Sequence, residues 1–172
     1  MESQKKVWDN IASEWDKFKI VPSESATEFL NKSKGKIIDF GSGSGRNLIG
    51  VKNTKEKEFY LVDFSDKMIK LAKKRAKKLN IKIETKVEDI TKTSYPNNFF
   101  DSGICTAAIH CIETAEKRKK ALKELFRILK TGSYAEIEVW NKDSNRFKNK
   151  PKEKFIAWRD KGKRYYYLYK EK

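Results

Sequence analysis

Residues 37–45 read Ile-Ile-Asp-Phe-Gly-Ser-Gly-Ser-Gly. A short apolar run, Ile37-Ile38, leads into Asp39, and glycines then alternate at 41, 43 and 45. The pattern predicts a strand over 36–40, followed by a loop whose backbone takes positive φ and lets a ligand lie directly against it. The next residues, Arg46-Asn47-Leu48-Ile49, read as a helix start, which would aim free N–H groups at that ligand. Taken alone, the stretch is equally a tight strand-to-helix turn.

Two details sharpen the reading. The spacing is G-x-G-x-G, and Arg46 stands where the dinucleotide fingerprint has its third glycine. An acid, Asp39, precedes Gly41 by two residues at the end of the strand. A carboxylate there repels a pyrophosphate but suits a cationic amino-acid head group. S-adenosylmethionine carries such a group, with an ammonium, a carboxylate and a sulfonium. A site for it is the expectation.

A chain of 172 residues suits one domain with a real core. Its 40 Lys/Arg against 24 Asp/Glu give a net charge of +16. Residues 141–172 hold 12 Lys/Arg against 4 Asp/Glu, half of that excess in the last 32 residues. Such a balance points to a polyanion, RNA or DNA, although a lysine-rich surface alone also produces it. No apolar span or amphipathic basic anchor argues for a membrane. Cys105 and Cys111 offer neither a zinc spacing nor a disulfide framework, so no metal is expected. With no signal peptide evident, the expected compartment is the cytoplasm.

Along the chain, Val7, Trp8, Ile11, Ala12, Trp15 and Phe18 recur at helical spacing over 3–19. They read as a packed N-terminal helix, with Trp15-Asp16 free to cover the ligand site as well. Pro22-Ser23 opens a second helix ending near Lys34-Gly35. A second strand, Phe59 to Val62, ends in Asp63, 18 residues past Gly45. That is close to the spacing at which an acid receives ribose hydroxyls, and Ser65 is available to cap the following helix instead. Ile81, Ile83, Thr85 and Val87 alternate as a half-exposed edge strand. In Glu88-Asp89-Ile90 after it, Asp89 is the acid placed to accept an adenine amino group. A buried strand over 102–106 precedes Ala107–Ile112 and a helix capped by Thr114, which is expected to end at Gly132. Strand 134–140 closes the unit. Residues 141–154 read as a mobile polar loop. The tail from Phe155, with Arg164-Tyr165-Tyr166-Tyr167-Leu168-Tyr169, reads either as a base-stacking surface or as a hairpin packed on the core. Alternating strands and helices predict an α/β fold: a mostly parallel sheet covered on both faces, with the strand ends at 39–45, 63, 89 and 106–110 opening on one edge.

Residues 1–140 resemble the class I SAM-dependent methyltransferases, whose cofactor motifs match Asp39–Gly45, Asp63 and Glu88-Asp89 in order and spacing. The resemblance implies a Rossmann-like fold and a single domain over 1–172. Within it, 1–35 would form N-terminal helices, 36–140 the cofactor-binding core and 141–172 a basic, aromatic substrate-side tail. Ala108-Ile109-His110, the helix 114–129, Glu138-Val139-Trp140, Ala157-Trp158 and Arg164–Tyr169 are similar to the tRNA wobble-uridine carboxymethyl methyltransferases. That family esterifies a carboxymethyl group in the anticodon loop and works with a small zinc-ribbon activator, which the edge strand near 81–87 would receive. Where the family usually has two histidines, this chain has His110-Cys111; where it has proline before the tail tryptophan, this chain has Ala157; where it has Tyr-Tyr-His, this chain has Tyr165-Tyr166-Tyr167. The family's further sheet strands have no counterpart before Lys172, so the expectation is that either the final hairpin is absent or the chain is shortened, with C-terminal strands shortened accordingly.

The cofactor candidates are therefore Asp39, Gly41, Ser42, Gly43 and Gly45 in the loop, then Asp63, Phe64 and Met68, then Glu88, Asp89 and Ile90, and finally Thr106. Placement makes His110 a positioning or walling group beside the methyl; charge makes Arg159 or Arg164 the holder of a substrate carboxylate or an RNA phosphate. A methyltransferase for a small molecule or protein, and a non-catalytic RNA-binding protein of the same fold, are the rival expectations.

Overall fold

The computed structural model describes residues 3–171. Its centre is β1 (Gly35–Phe40), whose side chains alternate between two cores. Ile37 enters the cluster formed with Phe59, Leu61, Ala72 and Ile104, whereas Ile38 and Phe40 enter the cluster formed with Val62, Phe100, Leu125 and Ile128. Burial on both faces is what a central parallel strand requires. Around it lie β2 (Lys57–Asp63), β3 (Ile83–Val87), β4 (Phe100–Thr106) and β5 (Leu129–Glu138), in the order β3-β2-β1-β4-β5. Every neighbouring pair is parallel, with Asp39 beside Leu61 on one side and Ile104 on the other.

Among the described residues four α-helices accompany the sheet: α1 (Gln4–Phe18), α2 (Glu24–Lys32), α3 (Asp66–Lys78) and α4 (Ala115–Ile128). Each starts where a hydroxyl accepts a backbone N–H of the first turn: Ser3, Ser23, Ser65 and Thr114 in turn. A cap of this kind is worth about 1 kcal/mol. Ala26 and Leu30 of α2 and Ala72 and Ala76 of α3 cover one face of the sheet. Ala121, Leu125 and Ile128 of α4 cover the other. Between β3 and β4 there is no helix, and a nest of Tyr60, Tyr95, Phe99 and Phe100 rings shields the sheet there, with Tyr95 and Phe100 4.9 Å apart. Edge-to-face rings gain beyond the area they bury.

Several local expectations are corrected. The segment after the glycine loop is one 3₁₀ turn, Arg46–Leu48: Ile49 is already extended (ψ 127°), and Gly50 (φ +85°) and Asn53 (φ +53°) keep the chain out of a helix beyond it. Helix α4 stops at Ile128, not Gly132; Leu129 already pairs with Phe100, and Gly132 (φ +81°) sits in the irregular stretch of β5 before Tyr134 rejoins the register. Residues 141–154 are not a free loop: Phe147 is buried against Trp140 and Tyr166, and Asn141 bridges to Tyr169. The tail is the packed hairpin of the two readings. Strands β6 (Glu153–Ala157) and β7 (Lys163–Tyr167) pair antiparallel in a two-stranded sheet of their own, apart from β5. Gln4 of α1 clasps β7, donating from Nε2 to the Lys163 carbonyl at 3.0 Å and accepting the Tyr165 N–H at 3.0 Å.

Candidate functional site

The strand order reverses between β1 and β4, and in a parallel sheet a crevice opens where the order reverses, beyond the C-terminal strand ends. A cavity of about 970 Å³ occupies that place. Its floor is the glycine loop, and its walls come from the ends of β2, β4 and β5, the N-terminal helix and β7.

The loop is shaped by its backbone hydrogen bonds. The N–H groups of Gly41 and Ser42 both donate to the Val62 carbonyl, at 2.9 and 3.0 Å, so the chain turns tightly over the end of β2. Gly41 has φ +81°, and a Cβ there would come within 2.4 Å of the Ala108 methyl. Gly43, at φ +53°, differs: a Cβ there would meet no atom within 4 Å, because it would stand in the cavity. Removing side chains at both positions thus serves two ends, close packing at Gly41 and ligand access at Gly43.

Asp63 ends β2 and bridges two amides, accepting the Gly43 N–H on Oδ2 and the Ser65 N–H on Oδ1, each at 2.9 Å. Burial raises its pKa to about 6, and those two bonds restrain the rise. Ser65, as the sequence suggested, caps α3 and leaves the carboxylate to face the cavity. Asp39 lies just under the loop, almost fully buried, and neither carboxylate oxygen has a hydrogen-bond partner. Burial pushes it up to about 7, with Asn47 and the Arg46 charge pulling the other way. An unpaired buried carboxyl costs free energy that a cationic ligand would recover.

On the opposite wall His110 is 1 % exposed and stacks on Trp140 at 4.4 Å, with both ring nitrogens unpartnered. Burial, then the charge of Arg164, lowers its pKa to about 3, so the ring is neutral. The Arg164 guanidinium, on β7, lies 4.8 Å from the Trp15 ring centre, 5.0 Å from Trp158 and 5.8 Å from Trp8. Its Nε has no partner. The tryptophans hold the cation by their π faces without neutralising it. Glu138, at the end of β5, accepts the hydroxyls of Ser23 and Ser25 and so ties the start of α2 to the cavity wall.

Of the residues singled out from sequence, Gly41, Ser42, Gly43, Asp63, Phe64, Met68, Asp89, Ile90, Thr106, His110 and Arg164 meet on this cavity. Four do not line it. Asp39 lies beneath the floor; Gly45 packs against Ala72 and Leu61. Glu88 turns away to Ser94, accepting its N–H and hydroxyl at 2.9 and 2.6 Å, whereas Asp89 accepts the Thr91 N–H and stays on the wall. Arg159 sits in the β6–β7 turn with φ +50°, its side chain 75 % exposed and 3.5 Å from Glu14. Of the two candidate arginines, Arg164 lines the cavity and Arg159 does not. Trp15 does line the cavity, while Asp16 pairs with Arg75 of α3. Lining residues given no site role from sequence include Trp8, Lys19, Arg46, Asn47, Glu138 and Trp140. Trp8 was legible only as a helix-core position, and Arg46 only as an irregularity in the glycine spacing.

The lining suits S-adenosylmethionine: a strand-end acid, Asp63, for ribose hydroxyls, a backbone left bare at Gly43, and beneath the floor the carboxyl of Asp39, whose charge favours a cation above it. The unpartnered hydroxyls of Ser42 and Thr106 add further polar contacts at the same place.

Comparison with known proteins agrees. A model of the methyltransferase domain family matches residues 37–132. The tRNA (carboxymethyluridine(34)-5-O)-methyltransferase of Arabidopsis thaliana is 29% identical over 138 residues, which are 78% of this chain and 32% of that protein. A protein of the same description from Xenopus tropicalis is 32% identical over 151 residues, 86% of this chain and 22% of that protein. The chain thus spans a third or less of the length of these relatives. Among solved structures, a SAM-dependent methyltransferase from Methanosarcina mazei superposes with a TM-score of 0.69 at 18% identity, covering 87% of this chain and 80% of that one. A chain from the complex between the Haloferax volcanii Trm112 methyltransferase activator and a methyltransferase superposes at 0.58 and 20% identity, over 74% and 57% of the two chains. At these identities the structural likeness is one of fold.

Proposed function

The chain belongs to the methyltransferase domain family and uses S-adenosylmethionine as its methyl donor, and from that premise we propose that it esterifies the carboxymethyl group of a tRNA wobble uridine. Arg164 is the observation that carries this reading. An arginine 9 % exposed, held by three tryptophan faces and unpartnered at Nε, faces the same cavity as the cofactor residues. A guanidinium in that state is matched by a carboxylate, which it can grip through two parallel hydrogen bonds. The names carried by the relatives supply the class of carboxylate, and the net charge of +16 suits a polyanionic carrier.

S-adenosylmethionine, when bound, supplies an electrophilic methyl on its sulfonium. The chain's own residues then have to orient and shelter the acceptor. A carboxylate is ionised at neutral pH, so no general base is needed, and the neutral His110 ring is suited to donating one hydrogen bond and walling off water. Arg164, whose charge is felt at His110, restrains the carboxylate on the same wall. Gly43 and Asp63 fix the cofactor end, since the backbone and carboxylate that face the ligand also bond to each other.

The reading extends to the chain's organisation: residues 1–35 as N-terminal helices, 36–140 as the cofactor-binding core, 141–172 as the substrate-side tail, and a cytoplasmic setting. It also extends to a partner. Strand β3 is an outer strand of the sheet, and a zinc-ribbon activator pairing with residues 81–87 would extend it. The superposition on a chain from an activator complex supports this.

The test gives the purified protein, with and without such an activator, isotopically labelled S-adenosylmethionine and tRNA lacking the final methyl. Mass spectrometry of the nucleosides should show label in a carboxymethyl-uridine ester. Label elsewhere, or S-adenosylmethionine binding without transfer to tRNA, would replace the substrate; loss of both would favour a non-catalytic RNA-binding protein.

A further inference from the structure

Beside the cavity mouth the molecule carries features that neither the cofactor nor the substrate carboxylate accounts for. Phe18, the last residue of α1, leaves its ring 64 % exposed. It is the outermost member of an aromatic row, 6.3 Å from Trp15 and 5.7 Å from Trp158. The Lys19 ammonium lies 5.3 Å from the Phe18 ring centre and 5.6 Å from that of Trp15. Arg146, from the segment after β5, lies 5.2 Å from the Trp140 centre and 4.9 Å from that of Phe147. Among the described residues, Lys19, Arg146 and Arg164 take part in no ion pair. Burial, then the charges of Arg46, Arg146 and Arg164, holds Lys19 below the usual lysine value.

S-adenosylmethionine has no phosphate, its one carboxylate has Arg46 on the cavity lining to face, and Arg164 already faces the interior. The outer pair, Lys19 and Arg146, therefore has no anion assigned to it. Aromatic rings keep both cations in place while leaving their charge uncompensated. An exposed ring with one unneutralised cation at its side, Lys19, and a second, Arg146, near enough for its charge to act on the first, is a combination that binds single-stranded nucleic acid: the ring stacks a base, and the cations take the phosphodiester. Ile20 and Val21, 59 % and 73 % exposed beside it, would by themselves suit a protein partner, but such a partner gains nothing from the cation cluster unless it is acidic.

We propose that Phe18, Lys19 and Arg146 form a landing ledge for the single-stranded RNA flanking the target nucleotide, with Phe18 stacking a neighbouring base and the two cations holding its phosphodiester. This rests on the reading that the target lies in an RNA loop. It adds a surface by which the enzyme would distinguish a nucleotide within a strand from a free nucleoside.

The test measures binding of a fluorescent anticodon stem-loop RNA by anisotropy across a salt series, with no methyl donor present. Phe18→Ala should weaken binding roughly 5- to 150-fold, the range expected for one base–aromatic stack, and Phe18→Trp should restore it. The double change Lys19→Gln with Arg146→Gln should lower the slope of log affinity against log salt by about 0.7 for each lost phosphate contact. Thermal melting of each variant checks that the exposed changes leave the fold in place. Unchanged affinity in Phe18→Ala together with an unchanged salt slope in the double variant would overturn the ledge. So would loss of affinity only toward an acidic protein partner. A ledge variant that fails to bind, set against a wild type that binds yet methylates no tRNA, would keep the ledge and remove the wobble-uridine reading.

Discussion

Asp63 takes the Gly43 N–H at 2.9 Å, so the acid at the end of one strand fixes the loop at the end of its neighbour. The same carboxylate takes the Ser65 N–H, at the start of α3. Both amides lose their partner in Asp63→Ala, which should cost about 1–3 kcal/mol for the buried Ser65 N–H and less for the Gly43 N–H, which lies on the cavity. Affinity for S-adenosylmethionine should fall at least about tenfold, the factor that some 1.4 kcal/mol of lost hydrogen bonding implies. Asp63→Asn, which keeps one acceptor oxygen, should lose less stability than affinity. Calorimetry and thermal melting on the three proteins separate the two effects.

Asp39 and Asp63 make cofactor binding sensitive to pH. Burial raises them to about 7 and about 6, above the ordinary 3.8 of an aspartate. The folded, ligand-free protein therefore holds more protons than the unfolded chain between about pH 4 and 7. Through these two groups its stability falls as pH rises across that window. A cation in the cavity above Asp39, and ribose hydroxyls on Asp63, favour the ionised forms and reverse the preference. Binding of S-adenosylmethionine at pH 6.5 should release protons and strengthen as pH rises through 7. Calorimetry in two buffers of different ionisation enthalpy reads the release directly, and Asp39→Asn should diminish it.

The paired glycines separate fold from function. Gly41→Ala places a methyl 2.4 Å from Ala108 at a positive φ, so it should destabilise the protein before any question of binding arises. Gly43→Ala meets no protein atom, and its fold should lose only about 1–2 kcal/mol from the left-handed backbone. Binding of S-adenosylmethionine should nevertheless disappear, because the new methyl stands in the cavity. A Gly43→Ala protein that melts near wild type and binds the cofactor normally would refute the cradle.

His110 should not titrate during catalysis. Burial and Arg164 hold it at about 3, so kcat should show no limb near pH 6.5. Since the folded value lies below that of the unfolded chain, this residue costs stability as pH falls below about 6.5, where only the unfolded form takes the proton. His110→Phe keeps a ring against Trp140 and removes both nitrogens. It should lower kcat/KM by roughly tenfold, the effect of one hydrogen bond of about 1–1.5 kcal/mol, without altering the pH profile. A wild-type limb near 6.5 that vanishes in the variant would instead make His110 a base.

Legibility in the sequence followed the range of the physics involved. The glycine loop, the acid after β2, the Ser65 cap and the outer position of β3 could all be read, because each depends on local backbone demand or on alternation within one strand. The 3₁₀ turn after the loop was missed although Gly50 and Asn53 stood nearby; the glycine motif outweighed two weaker breakers. Leu129 reads as the last apolar position of α4, yet pairing with Phe100 makes it strand, a contact local periodicity does not carry. Arg159 and Arg164 look alike in sequence. Only the hairpin separates them, turning one toward solvent and the other onto three tryptophans 4.8–5.8 Å away.

Arg164 is where substrate choice should be decided. Its cation is uncompensated by any carboxylate among the described residues, and its environment of Trp8, Trp15 and Trp158 fixes a planar fork rather than a point charge. Lysine would keep the charge but lose the two-pronged grip and fit the ring faces poorly. Arg164→Lys should therefore reduce kcat/KM on a carboxymethyl substrate by roughly a hundredfold, the equivalent of about 2–3 kcal/mol for hydrogen bonds to a charged group. Arg164→Gln should go further in one respect. A substrate bearing a carboxamide in place of the carboxylate competes weakly with the wild type and should compete about as well as the acid against the variant. Inhibition of methyl transfer by the amide, measured on both proteins, gives the comparison. Equal discrimination by both would mean that another group reads the carboxylate, and Arg164 would then be a packing element of the tryptophan cluster.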